Sequence, residues 1–199
     1  MNLGVRSLVC MLALGGCAGG APVPDWQLNA RDAVNAFERH YLAGDTRLAE
    51  QEFARAKAEI ARTGRGDLLA RAELVRCAAR VASLEFDDCP GFEALRADAG
   101  AEEVVYAEYL SGRRERAAAE DPLSRLVVAG VHLRSGTATP AEIAGAVDIA
   151  SAQGWRRPLL AWLGVQAKRA QELGDREEAA RIGRRVEMIL GTQVDRARQ

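Results

Sequence analysis

The chain has 199 residues, 48% of them hydrophobic and 28% charged, with a formal net charge of −1. This composition excludes a disordered or collagen-like polypeptide, and the near balance of charge excludes the basic surplus of a nucleic-acid binder. Alanine occurs 38 times, against 25 for valine, isoleucine and threonine together, a bias that favours helix over sheet. The first segment, residues 1–16, has the pattern of a secretory signal: Arg6 supplies a positive start, Leu8 to Leu14 is a short apolar run, and Gly15 and Gly16 follow. The run is far shorter than the about 20 residues that span a bilayer.

Leu14-Gly15-Gly16-Cys17 resembles the lipobox of bacterial lipoproteins, with Leu three residues before the cysteine and small residues between. The resemblance implies a diacylglyceryl group on the Cys17 thiol, cleavage before it, and acylation of the new amine. Each buried methylene contributes about 0.8 kcal/mol, so several chains together anchor stably. Ala18, in the place where the sorting rule of enteric bacteria reads Asp, implies the outer membrane, with the domain facing the periplasm. The competing reading is an ordinary signal cut at Ala18 or Ala21. Residues 17–25 are expected to be a lipidated tether, 26–192 an α-helical domain and 193–199 a flexible tail.

From there the apolar spacing is helical. Stripes run through Ala30, Ala33, Val34, Phe37 and Tyr41, then through Ala49, Phe53, Ala56 and Ile60. The third helix carries two, Leu68-Ala72-Val75-Ala79-Ala82 and Ala70-Leu74-Cys77-Val81-Leu84, which predicts a central helix contacted from both sides. Nine helices are expected near 26–43, 46–62, 67–85, 90–98, 101–111, 122–135, 140–153, 157–173 and 175–190, with a link at 113–120. Asp121-Pro122, Thr139-Pro140 with Glu142, Asp175 with Glu178, and Asp88-Cys89-Pro90 read as helix starts. Gly44, Gly64, Gly112, Gly136, Gly154 and Gly174 read as stops. Trp162 and Phe53 are assigned to the core.

Tyr41-Leu42-Ala43-Gly44-Asp45 with Ala49, and Gln171-Glu172-Leu173-Gly174-Asp175 with Ala179, resemble the tetratricopeptide repeat. Gly112 with Ala117 and Gly136 with Ala141 echo the same spacing, a small residue five positions after the glycine. From Gly44 to Gly112 is 68 residues, twice the ~34-residue period, whereas Gly112 to Gly174 is 62. The resemblance implies an all-α fold of antiparallel helical hairpins stacked as a short solenoid. A generic antiparallel helical bundle is the alternative.

Cys77 and Cys89 are the only cysteines within the expected domain. In an exported chain such a pair forms a disulfide, worth about 3 kcal/mol for a loop of this size. Zinc wants four ligands and a thioredoxin-like pair wants two intervening residues; neither pattern is present, and no metal or cofactor is expected. No nucleophile elbow, phosphate loop or His-Glu-x-x-His motif occurs. His40 and His132 read as packed or surface histidines, and Asp87-Asp88, Glu102-Glu103 and Glu177-Glu178 as solvated faces. Arginine outnumbers lysine 25 to 2, and Trp155-Arg156-Arg157 pairs an aromatic with a fork of donors, the make-up of a partner-binding hot spot. The expected function is therefore non-enzymatic. It is an outer-membrane lipoprotein whose helical domain is a protein-interaction scaffold, held to the membrane by lipid and engaging an envelope protein. The alternative is an accessory protein or enzyme acting on peptidoglycan or another envelope substrate.

Overall fold

The computed structural model describes residues 22–115 and 120–197, with side chains as far as Gly191. The leader, Cys17, most of the tether and Ala117 lie outside the described residues. Among them the chain is all-α: α1 (Asp25–Ala43), α2 (Thr46–Ala61), α3 (Gly66–Ala82), α4 (Pro90–Glu93), α5 (Ala101–Leu110), α6 (Pro122–Arg134), α7 (Pro140–Ala152), α8 (Arg156–Glu172) and α9 (Arg176–Ala197).

The local chemistry explains the boundaries. Asp121 accepts the Ser124 N–H at 2.9 Å, and Asp175 accepts that of Glu178 at 2.9 Å. Thr139 and Glu142 satisfy each other's backbone in a capping box. All six glycines expected as stops have positive φ. Gly44 is representative: at φ 89° it lets the Asp45 N–H reach back to the His40 carbonyl at 2.8 Å and its own N–H reach that of Tyr41 at 3.0 Å.

Three boundaries differ from expectation. The helix begun at Pro90 is regular only to Glu93. Beyond it, Leu95 bonds back to Phe92 and Asp98 to Leu95, three residues apart. A short segment opening on Pro-Gly gains too little from propagation to hold an α-helix and tightens into i→i+3 turns. Helix α3 stops at Ala82 because Leu84 takes the left-handed conformation, φ 61°, and Glu85 bonds back to Arg80 at 2.9 Å. No glycine marks this stop, and the β-carbon makes it cost about 1–2 kcal/mol. At the other end, α9 runs to Ala197, into the segment expected as a flexible tail, because neither proline nor a left-handed residue interrupts it.

Helix α3 is central, touching α1 and α2 on one side and α4, α5 and α6 on the other. Its two stripes feed two cores, except that Ala82, expected on the first stripe, joins the second core. Ala72 and Ala79 join Phe37, Tyr41, Leu42, Phe53 and Ile60 of the first hairpin. Leu74, Cys77, Val81 and Ala82 join Phe92, Leu110, Leu126, Val147, Trp162 and Leu163. The α3–α6 approach depends on Gly130, where a β-carbon would sit 2.5 Å from the Val81 carbonyl oxygen.

From α6 to α9 each helix packs on the next, while α8 also meets α1, a contact between distant parts of the chain that an open nearest-neighbour stack lacks. The small residues after the turn glycines play unequal parts. Ala49 is fully buried and Ala179 half-buried, but Ala141 is exposed in the first turn of α7.

Candidate functional site

The Trp155-Arg156-Arg157 cluster lies where α8 begins. Trp155 is half-buried and packs against both cores. The Arg157 guanidinium lies 4.2 Å from the Tyr41 ring centroid. Its Nε donates to the Tyr41 carbonyl at 2.7 Å, one Nη to Thr46 Oγ1 at 2.6 Å and the other to Glu85 Oε1 at 3.2 Å. Arg156 folds over Gly44, where a β-carbon would meet its guanidinium at 2.8 Å. Burial, and then the Glu85 carboxylate, push the Tyr41 phenol well above the usual range. The cluster thus joins α8 to the α1–α2 turn and to the end of α3. Arg80 extends it, reaching Asp87 at 3.0 Å and Glu85 at 3.6 Å.

Cys77 and Cys89 are paired as a disulfide, their Cα atoms 5.6 Å apart. The bridge ties the later part of α3 to the start of α4, around the left-handed turn at Leu84. Asp87 Oδ1 accepts the Cys89 N–H at 3.1 Å. Glu85 and Asp87, which hold the arginines of the joint, both lie inside the loop that the bridge closes.

The main concavity is elsewhere. A cavity of about 560 Å³ opens between α1, α3, α5 and α6, within the size range of ligand sites. Leu74, Val75, Ala78, Leu123, Val127 and Val128 supply apolar lining; Glu38, Arg71, Glu102, Glu103, Tyr106, Tyr109 and Ser124 supply polar groups. A second hollow of about 260 Å³ lies between the first half of α1, α3 and the end of α2, with Trp26, Ala30, Val34, Ile60, Leu68 and Ala72 as apolar lining and Gln27, Arg31 and Asn35 as polar lining. The two share Arg71 and Val75, so they adjoin along α3 and are referred to together as its groove.

The charges of the groove are unequal. Arg71 donates to Glu103 Oε1 at 3.0 Å, and that bond holds the Glu103 carboxyl below the usual range. Glu38 and Glu102 have no hydrogen bond or ion pair among the described residues. Glu38 is half-buried; burial, then the charge of Asp121, raise its pKa above the ordinary carboxylate value. Glu73, by contrast, is 5% exposed and bound to Lys57 at 2.6 Å. It sits against Gly91, where any side chain would collide with its carboxylate.

Glu38 escaped the sequence reading, although a signal was present. It lies four residues after Val34 and four before Leu42, on the edge of the apolar stripe of α1. The Glu102-Glu103 pair borders the groove, while Asp87 and Asp88 are bound to Arg80 and Arg134. His132 pairs with Glu142 at 2.6 Å, outside the groove lining. The groove can therefore bind an apolar body and a cation. No histidine, cysteine or paired base stands beside Glu38 in the lining. No protein-family model, curated protein or solved structure matches the chain.

Proposed function

We propose that the chain is an outer-membrane-anchored lipoprotein whose helical domain is a protein-interaction scaffold in the bacterial cell envelope. The observation that carries this reading is the groove along α3, open to solvent, apolar in its floor and flanked by helices from both cores. Such a surface suits a segment of a partner better than a small substrate enclosed on all sides. The lipobox-like Leu14-Gly15-Gly16-Cys17 supports the anchor, and the Cys77–Cys89 pair suits an oxidising compartment. No helix is long and apolar enough among the described residues to cross a membrane. The hairpins are read as divergent tetratricopeptide-like units.

Affinity capture from detergent-solubilised envelopes, with a tagged chain retaining Cys17, tests the reading. A reproducible envelope protein, together with labelling by an alkyne fatty acid that Cys17→Ser abolishes, is expected. The second reading, an accessory protein or enzyme acting on peptidoglycan or another envelope substrate, has Glu38 in its favour, a half-buried carboxylate in a cavity with a raised pKa. An empty capture alongside turnover of a wall fragment would establish that reading instead.

A further inference from the structure

Three features of the groove specify an occupant more closely. The first is its length. Trp26 and Glu38 line its two ends on α1 and are twelve residues apart, about 18 Å at 1.5 Å per residue. An extended chain advances about 3.3 Å per residue, so the groove spans five or six residues of a bound strand. The second is its polarity. The hollow beside Trp26 is lined by Ala30, Val34, Leu68 and Ala72 and carries Arg31 but no carboxylate, while the other end presents Glu38 and Glu102. The third is the state of the cation that both hollows share. Arg71 is held by Glu103, so it neutralises that carboxylate and gives neither Glu38 nor Glu102 an ion pair.

A carboxylate kept half-buried without a partner is a cost to the fold. A bound cation removes that cost, and the neighbouring apolar hollow supplies the area that makes binding of its carrier favourable. A free amine would fill only the acidic end and leave the hollow beside Trp26 wet.

We propose that the groove along α3 binds an extended partner segment of five or six residues, apolar at the Trp26 end and carrying lysine or arginine at the Glu38 end. This rests on the scaffold reading above for the presence of a partner, but its chemistry is tested without one.

The full chain, purified in a zwitterionic detergent, is titrated with the capped peptide Leu-Val-Ala-Lys-Arg and with the same residues in reverse order, following heat and tryptophan fluorescence. Saturable one-to-one binding of one order is expected. It should weaken at least about tenfold when glutamates replace the two basic residues or serines replace leucine and valine. Glu38→Gln should weaken it about tenfold while leaving the fold intact. Trp26→Phe should remove the fluorescence change and keep the heat. Hexylamine is expected to bind far more weakly. The proposal is overturned if neither order binds, if the acidic peptide binds as well, if Glu38→Gln has no effect, or if hexylamine matches the peptide. Failure here with a successful envelope capture would remove this groove as the contact surface and leave the scaffold reading standing. Peptide binding with an empty capture would do the reverse.

Discussion

The start of α8 and the groove along α3 use charge in opposite ways. At the joint, all three nitrogens of Arg157 are engaged within the chain, by the Tyr41 carbonyl, Thr46 and Glu85, and its face stacks on Tyr41. In the groove, Glu38 is half-buried and has no hydrogen bond or ion pair among the described residues. Within the conspicuous Trp-Arg-Arg triplet, Arg157 is bound inside the fold; the inconspicuous glutamate is the group that the proposal above assigns to a partner. Polar groups that stabilise a protein are satisfied from inside it, whereas groups that recognise a ligand must stay unsatisfied until the ligand comes.

Substitutions at the two places should separate these uses. The largest effect is expected from Trp162→Ala. The side chain is fully buried and its Nε1 donates to the Ala82 carbonyl at 3.0 Å, so the loss should be about 3–5 kcal/mol. It would be read as a fall in denaturant midpoint, and the difference between joint and groove would be blurred if it were small. Next comes the Cys77→Ser, Cys89→Ser pair. It removes the bridge around Glu85 and Asp87 and should cost about 3 kcal/mol by loop entropy; a chain melting at the same temperature with and without reductant would refute this.

Arg157→Met keeps much of the volume but deprives Tyr41, Thr46 and Glu85 of their donor. A loss of about 1–3 kcal/mol is expected in urea unfolding, with the peptide affinity little changed. The smallest effect has the opposite sign. Glu38→Gln should raise stability at neutral pH by less than about 1 kcal/mol, with allowance for screening at a half-exposed group. The sign follows from linkage. The folded-state pKa of Glu38 is raised above 4.5, so its favourable contribution is present below that unfolded value and lost as pH rises through the folded one. The advantage of glutamine should therefore vanish in melts at acid pH.

Much of the fold was legible along the chain, because caps and stops are local. Asp121, Thr139, Asp175 and the six left-handed glycines act on residues within a turn or two, and apart from the ends of α4 and α9 the helices were expected within about three residues of where they lie. The two stripes of α3 correctly placed it between two cores. Leu84 and the short α4 were not legible. A left-handed leucine carries no compositional sign, and the Pro90 start resembles that of a longer helix.

The joint was harder still. Arg157 finds its partners 72, 111 and 116 positions away, and no periodicity encodes which helices will meet. The groove has the same origin, since its walls come from five helices. The stripe edge occupied by Glu38 was readable, but its place in a cavity bordered by α3, α5 and α6 follows only from the tertiary fold.

The union of α8 with the first hairpin also bears on how this domain can be shortened. In a linear array, terminal units are removed one at a time and the remainder keeps its shape. Here a chain ending before Arg156 would strip donors from Tyr41 and Thr46 at the opposite end of the polypeptide and uncover the Ala82 carbonyl in the middle. Truncation at that point would therefore reach contacts made by the first hairpin and by α3, far from the cut in sequence.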